Sequence, residues 1–203
     1  MSIDTNAMFK LSYGLFLLTS KNEYKDNGCI VNTVIQVTSN PQRISIAVNK
    51  NNYTHDMIIE SGIFNVCVLT EKTPFSFFKN FGFQTGKMSD KFNDYPELRS
   101  ENGLMYTDKY VNALISGKVI NTIDCGTHTI FIADVTESCN LSDDNSLTYD
   151  YYFKNIKPKP EKSSKKKGYV CKICGYIHES DELPEDFICP ICKHGAADFE
   201  KIQ

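Results

Sequence analysis

The feature that most constrains this chain lies at its end. Two Cys-x-x-Cys pairs, Cys171 with Cys174 and Cys189 with Cys192, fall within the last 33 of its 203 residues, with fourteen residues between the pairs. Each pair can form a knuckle whose two thiolates reach one metal ion, and two facing knuckles complete a tetrahedron. Gly175, directly after the first pair, can take the positive φ that such a turn needs. The other four cysteines, Cys29, Cys67, Cys125 and Cys139, are scattered. The start of the chain, Met1 to Lys10, has no basic-then-apolar pattern and reads as no signal peptide. Paired knuckles in a chain read as cytoplasmic point to metal rather than disulfides. A tail of 36 residues buries too little apolar surface to fold unaided, so the ion serves as its staple. Zinc and iron both accept four thiolates in this geometry. Four sulfurs satisfy the ion, so His178 and His194 read as surface residues rather than ligands.

The tail is set off by a change of composition. Residues 154–167 hold seven lysines, one glutamate and two prolines, with Ile156 the one apolar residue besides them. Such a segment cannot bury a core and its prolines stiffen it, so it reads as a tether. The charge divides accordingly. Residues 1–153 carry 12 Lys and Arg against 17 Asp and Glu, a net −5; the tether carries a net +6 and residues 168–203 a net −4, giving −3 in all. That balance argues against nucleic acid as a partner, and no apolar run reaches the eighteen residues of a membrane span. The expected organisation is a domain over 1–153, a linker over 154–167 and a small domain over 168–203.

The first domain reads as mainly β. The segments 11–19, 28–38, 44–49, 64–69, 113–122 and 129–138 are rich in Val, Ile, Phe and Thr with partial alternation. Two short helices are expected. One covers 54–61, with Thr54 as its cap and Met57, Ile58 and Ile59 as its buried face; the other covers 74–81, with Pro74 at an early position. Six strands without a βαβ rhythm suggest an antiparallel barrel. The cluster Gly82-Phe83-Gln84-Thr85-Gly86 lacks the spacing of a dinucleotide or phosphate loop, so a Rossmann domain is not expected.

Beyond these patterns, the tail resembles rubredoxin, above all the shortened rubredoxin-like domain of rubrerythrins. The resemblance rests on Tyr169-Val170-Cys171, then Cys174-Gly175-Tyr176, then Cys189-Pro190 and Cys192. It implies one iron ion held by the four cysteines and one-electron chemistry. Phe187 stands where rubredoxins usually carry tryptophan, and Lys193 where they usually carry glycine. Both departures bear on the sulfur environment and so on the redox potential.

The barrel in turn resembles the flavin-reductase family from about Leu11 to Ser138. The resemblance is carried by Tyr13-Gly14, the run from Gly28 to Pro41, the run from Ile46 to His55, Gly62-Ile63-Phe64, and Gly126-Thr127-His128. It implies a split barrel that binds FMN and forms a homodimer. It also implies the site. Asn32, Thr33, Val34, Gln36, Val37 and Thr38 would line the flavin ring, the two valines by apolar contact. Asn49, Lys50, Tyr53 and Thr54 would meet the phosphate at a helix N-terminus. Phe83 would cover the flavin from a loop whose Lys87, Ser89 and Lys91 attend the phosphate. His128 would stand near the flavin and the nicotinamide entry. Cys29 and Cys125 read as buried inert thiols, and Cys67 and Cys139 as structural.

Taken whole, the chain resembles the high-molecular-weight rubredoxins of anaerobes. That implies hydride transfer from NADH or NADPH to FMN, single electrons onward to the iron, and an acceptor such as a flavo-diiron oxygen or nitric oxide reductase. Two alternatives stay open. One is a flavin reductase that supplies reduced flavin, with a structural zinc in the tail. The other is a non-enzymatic electron carrier or redox sensor.

Overall fold

A computed structural model describes residues 4–158, 168–172, 176–189 and 195–202. The first domain is one antiparallel sheet of seven strands. They are β1 (Phe16–Lys21), β2 (Asp26–Val31), β3 (Val34–Ser39), β4 (Gln42–Asn49), β5 (Ile63–Leu69), β8 (Val111–Asp124) and β9 (His128–Asn140). Two-residue strands β6 (Leu98–Arg99) and β7 (Met105–Tyr106) make a separate ribbon.

The order β2-β1-β5-β8-β9-β4-β3 puts consecutive strands, β2 and β3, on opposite edges. Only Asn32 and Thr33 separate them. A flat sheet of this size would hold its edges roughly 29 Å apart. The three peptide steps from Val31 to Val34 reach about 11 Å at most. The sheet must therefore curl until its edges nearly meet, which makes it a split barrel.

Alternation decides what fills it. On β4, Ile44, Ile46 and Val48 are buried and the residues between them are not; on β9 the buried set is Thr129, Phe131 and Ala133. These side chains join Leu18, Val31, Phe64 and Val66 inside the barrel. Helix α1 (Tyr53–Ser61) adds Ile58 to this core. Gly62 ends the helix at φ 69°, its N–H donating to the Ile58 carbonyl, a left-handed position that costs glycine little. Strands β1 and β5 are buried on both faces. Their outer residues Leu17, Cys67 and Leu69 lie under Phe77, Phe78 and Phe81 of α2 (Phe75–Phe83). That is why these two segments read as unbroken apolar runs.

After β9 the chain returns along the barrel. Leu147 donates to the Leu69 carbonyl and accepts from Leu15, so this stretch lies between the ends of β1 and β5. A short α3 (Tyr149–Tyr151) continues as a π-helical turn through Ile156, and Tyr152 packs on Phe78 with ring centroids 4.6 Å apart. Helical structure thus runs to Ile156, into the segment expected as tether. In the tail, β10 (Gly168–Cys171) pairs with β11 (Ile177–His178) and β12 (Phe199–Ile202).

Several local expectations are corrected. The run 28–38 is two strands, because Asn32-Thr33 is where the barrel splits. Helix α1 is capped by Asn52, whose side chain accepts from the Thr54 amide at 3.1 Å; Asn52 and Thr54 are both good cap residues, and contacts of the Thr54 hydroxyl decide between them. Ile59 is 56% exposed rather than part of the buried face. Pro74 is the cap residue before α2. Cys125 is exposed, because it sits in the β8–β9 turn, and Cys139 is exposed as well.

Candidate functional site

Five segments converge at one end of the barrel. They are the first turn of α1, the end of β4, the β8–β9 turn, the β1–β2 turn and the loop 84–91. Asn49 is the cross-strand partner of His128. The Lys50 amide donates to the Thr127 carbonyl, and its ammonium meets Asp124 at 2.7 Å. That ammonium, hydrogen-bonded to the carboxylate, holds the Asp124 carboxyl below its ordinary range. Lys50 is therefore already paired. His128 meets the Thr127 hydroxyl at 2.9 Å and is half-buried, on the outward-facing set of β9.

Around α1, Tyr53 is the centre. Asn22 donates to its hydroxyl at 3.0 Å, and the ammonium groups of Lys25 and Lys87 lie 5.5 and 5.6 Å from its ring centroid. Neither lysine forms an ion pair with a carboxylate among the described residues. The amides of Thr54 and His55 are taken by the Asn52 side chain and carbonyl. What this helix end offers an anion is thus its dipole and two nearby ammonium groups, more than free N–H donors.

Thr54 is fully buried and its hydroxyl accepts from Asn27 at 2.8 Å. That leaves its O–H proton to point elsewhere. Asn27 also abuts the loop. A Cβ on Gly86 would come within 2.1 Å of the Asn27 side-chain oxygen, so only glycine lets the loop lie this close. Lys25 donates to the Gly86 carbonyl as well. The loop itself is turned by Thr85, whose carbonyl accepts from Met88 N and Ser89 Oγ. Phe83, the last residue of α2, packs edge-on against Phe75 at 5.8 Å.

Lys91 departs most from expectation. It was expected to attend a phosphate, yet it is 4% exposed and its ammonium donates to the carbonyls of Gly28 and Phe81, at 2.9 and 3.0 Å. It satisfies a carbonyl on the edge strand β2 and one in the last turn of α2. Burial pulls its pKa down to about 8, partly offset by the Cys29 thiol and aided by Lys25. The thiols of Cys29 and Cys67 are pushed up by burial, Cys67 to about 12, which fits inert side chains.

The ring-lining candidates lie on β3 and just before it. Thr33 donates to the Asn32 side chain at 3.0 Å, and its carbonyl accepts from Ala47. Val34 packs into the barrel core, whereas Val37 falls in a bulge and is 47% exposed. The two valines therefore do not form one surface. Gln36 and Thr38 pair near Ile44 and Arg43, roughly 17–20 Å along β4 from Asn49. Only an elongated ligand reaches both groups.

Lys25, Asn27, Asn22 and His55 were missed by sequence reading. His55 is buried, with Nε2 at 2.9 Å from the Thr129 hydroxyl and Nδ1 at 3.1 Å from Asp56. It ties α1 to β9. Asn22, Lys25 and Asn27 sit in no local motif, and His55 closes a run read for other residues; their contacts come from segments meeting across the barrel.

In the tail, Cys171 and Cys189 are almost fully buried and share one cluster with Phe199. Tyr169, Tyr176, Leu183 and Phe187 pack against it. Cys174 and Cys192 lie outside the described residues, as do Gly175, Lys193 and His194. Two buried cysteines that share one cluster, one from β10 and one from a segment eighteen residues later, fit half of a tetrathiolate site.

Comparison with known proteins agrees with this geometry. Residues 8–158 match the flavin reductase like domain, and residues 169–200 match the rubrerythrin, rubredoxin-like domain. The chain is 34% identical to the high molecular weight rubredoxin of Moorella thermoacetica, over 98% of this chain and 100% of that protein. It is 38% identical to the ferric-chelate reductase (NAD(P)H) of Archaeoglobus fulgidus, over 74% of this chain and 89% of that one. Among solved structures, the NADH:FAD oxidoreductase SgcE6 of Streptomyces globisporus superposes with a TM-score of 0.65 at 17% identity, over 73% of this chain and 91% of that one.

Proposed function

The chain belongs to the flavin-reductase-like family and carries a rubredoxin-like domain at its C-terminal end, and on that premise we propose that it is an NAD(P)H-dependent oxidoreductase passing electrons through FMN to iron held by Cys171, Cys174, Cys189 and Cys192. A bound flavin accepts a hydride and gives up electrons singly, so it links a two-electron donor to a one-electron centre. The observation that carries the reading is the pairing of the two modules in one chain, matched end to end by the Moorella relative.

The chain's own residues divide the work. Lys25 and Lys87, beside Tyr53 at the start of α1, hold the phosphate end. Asn27 orients Thr54 and seats Gly86, so the loop with Lys87 and Ser89 closes on that end. Asn32 and Thr33 at the break before β3, with Gln36, Val37 and Thr38 along it, line the ring, and Phe83 borders it. Asn49 and His128, side by side on the outer face of β4 and β9, border the nicotinamide approach. Lys91 acts through the backbone it holds. The outer face also bears exposed Ile35 on β3 and Ile123 on β8, an apolar surface suited to a homodimer contact. The tail delivers to a flavo-diiron protein in the cytoplasm. Among the described residues, no helix is long and apolar enough to cross a membrane.

Anaerobic addition of NADH tests the whole. The flavin band should bleach first and the iron band second. A tail that holds only zinc, or iron that stays oxidised after the flavin bleaches, would remove the coupled reading. A second reading has its own support in the ferric-chelate reductase relative, which matches 74% of this chain. Ferric-chelate reduction that survives loss of the tail's metal would favour it.

A further inference from the structure

The first turn of α1 is fastened to both sides of the split barrel. Strand β2 is one edge of the sheet, and β9 lies two strands in from the opposite edge, next to β4 and then β3. Thr54 accepts from Asn27 of β2 at 2.8 Å. The next residue, His55, meets the Thr129 hydroxyl of β9 through Nε2 at 2.9 Å. All four side chains are buried. Asn32-Thr33 joins the two sides through the chain, and this turn joins them through side chains.

The imidazole is held at three points. Besides Thr129, its Nδ1 lies 3.1 Å from the Asp56 carboxylate, and its ring lies against Phe131 with centroids 5.6 Å apart and planes 62° apart. A carboxylate only accepts, so Nδ1 turns its proton toward Asp56, and Nε2 meets a hydroxyl, which either donates or accepts. Consecutive helical residues point about 100° apart. The bonds of Thr54 and His55 therefore pull in different directions and fix the roll of the helix, where either alone would leave the turn free to pivot. Tyr53, beside Lys25 and Lys87 and bonded to Asn22, rides on the same turn.

We propose that His55 is a positioning residue: with Thr129 it forms one half of a clasp across the split of the barrel, and the clasp sets the phosphate end of the flavin site. The inference rests on the reading that the barrel binds FMN. His55 touches no ligand in this role. It holds the roll of α1, so Tyr53 stays beside the two ammonium groups and Thr54 stays on Asn27, which seats Gly86 and its loop. The Asn27–Thr54 bond is the other half. Without the His55 half the turn pivots on the bond that remains, and the two ammonium groups no longer converge on one anion. The ring lies along β3, a different element, so the phosphate is the part of the flavin that feels the change. The clasp thus separates FMN from the same flavin without its phosphate.

Titration of the flavin-free, full-length protein with FMN and with riboflavin, read by flavin fluorescence, tests this. Thr129→Val keeps the shape of the side chain and removes the hydroxyl. It should weaken FMN about three- to tenfold, the span of one net hydrogen bond, and riboflavin less than about twofold. Thr129→Ser restores the hydroxyl and should return the parent ratio of the two affinities. Equal weakening of FMN and riboflavin, FMN binding unchanged in Thr129→Val, or a serine that behaves as the valine does, overturns the proposal. A second arm needs no flavin. In Thr129→Val, amide hydrogen exchange should speed up at Lys50, Thr54 and His55 and stay unchanged along β5. No change at those three amides, or an equal rise along β5, overturns the clasp. A parent that binds neither flavin removes the FMN reading, while the exchange comparison still decides the clasp.

Discussion

Lys91 offers the sharpest test of how the loop over the site is held. Its ammonium is buried, bonded to two carbonyls, with its pKa lowered from an ordinary 10.5 to about 8. Lys91→Met keeps most of the stem and removes charge and donors together. Two buried carbonyls then lose a partner, at about 1–3 kcal/mol each. Against this, the substitution removes a desolvated charge. A shift of this size corresponds to about 3 kcal/mol at neutral pH. The two nearly offset near pH 7, so Lys91→Met should lose only about 0–2 kcal/mol there. Between about 8 and 10.5 the unfolded chain binds more protons at this lysine than the folded one. Folded stability conferred by this group therefore rises with pH across that window. The advantage of the parent over Lys91→Met should grow by about 2–3 kcal/mol from about pH 7 to about pH 10. Urea unfolding of both proteins at the two pH values measures it, and other titrating groups cancel in the difference. Cys29 faces Lys91, but without the ammonium its buried thiol is harder still to ionise, so it adds no competing titration. A difference that stays constant with pH would refute the reasoning.

Other outcomes follow from the same contacts. Gly86→Ala puts a methyl into the Asn27 side chain, so the loop should shift and FMN affinity fall about tenfold, read by flavin fluorescence, for an overpacking cost of about 1–2 kcal/mol. Asn52→Ala removes the α1 cap and should cost about 1 kcal/mol in urea unfolding. Cys171→Ser should abolish metal retention and leave the tail open to proteolysis while NADH still bleaches the flavin, because a module this small depends on its ion. Alkylation of the folded protein should label Cys125 and Cys139, which are exposed, and spare Cys29 and Cys67, which are not; peptide mass mapping decides.

Much was legible in sequence because it is local. The strands were found from alternation, since Ile44, Ile46 and Val48 face one way and the residues between them the other. The knuckle cysteines were found from spacing, because two thiolates three residues apart can reach one ion whatever the fold around them. Asn49, Lys50, Tyr53 and Thr54 came from the family resemblance, and they do lie together at the end of β4 and the start of α1 because they are near neighbours in the chain. The break at Asn32-Thr33 was not legible, since nothing in a run of strand formers marks where a curled sheet must split.

By itself, the sequence marked out the two modules, the paired knuckle cysteines and most of the barrel's strands, because period, spacing and composition act over a few residues. Only the tertiary structure decided which lysine does what. Lys50 meets Asp124 across a turn, Lys91 turns inward to carbonyls of β2 and α2, and Lys25, from a turn no motif marks, takes the place beside Tyr53. A lysine stem is long and its charge seeks the nearest partner, and which partner is nearest is set by strands far apart in the chain. The same holds for the cysteine tail. The spacing marked the four cysteines, while the fold laid His178 against Phe187.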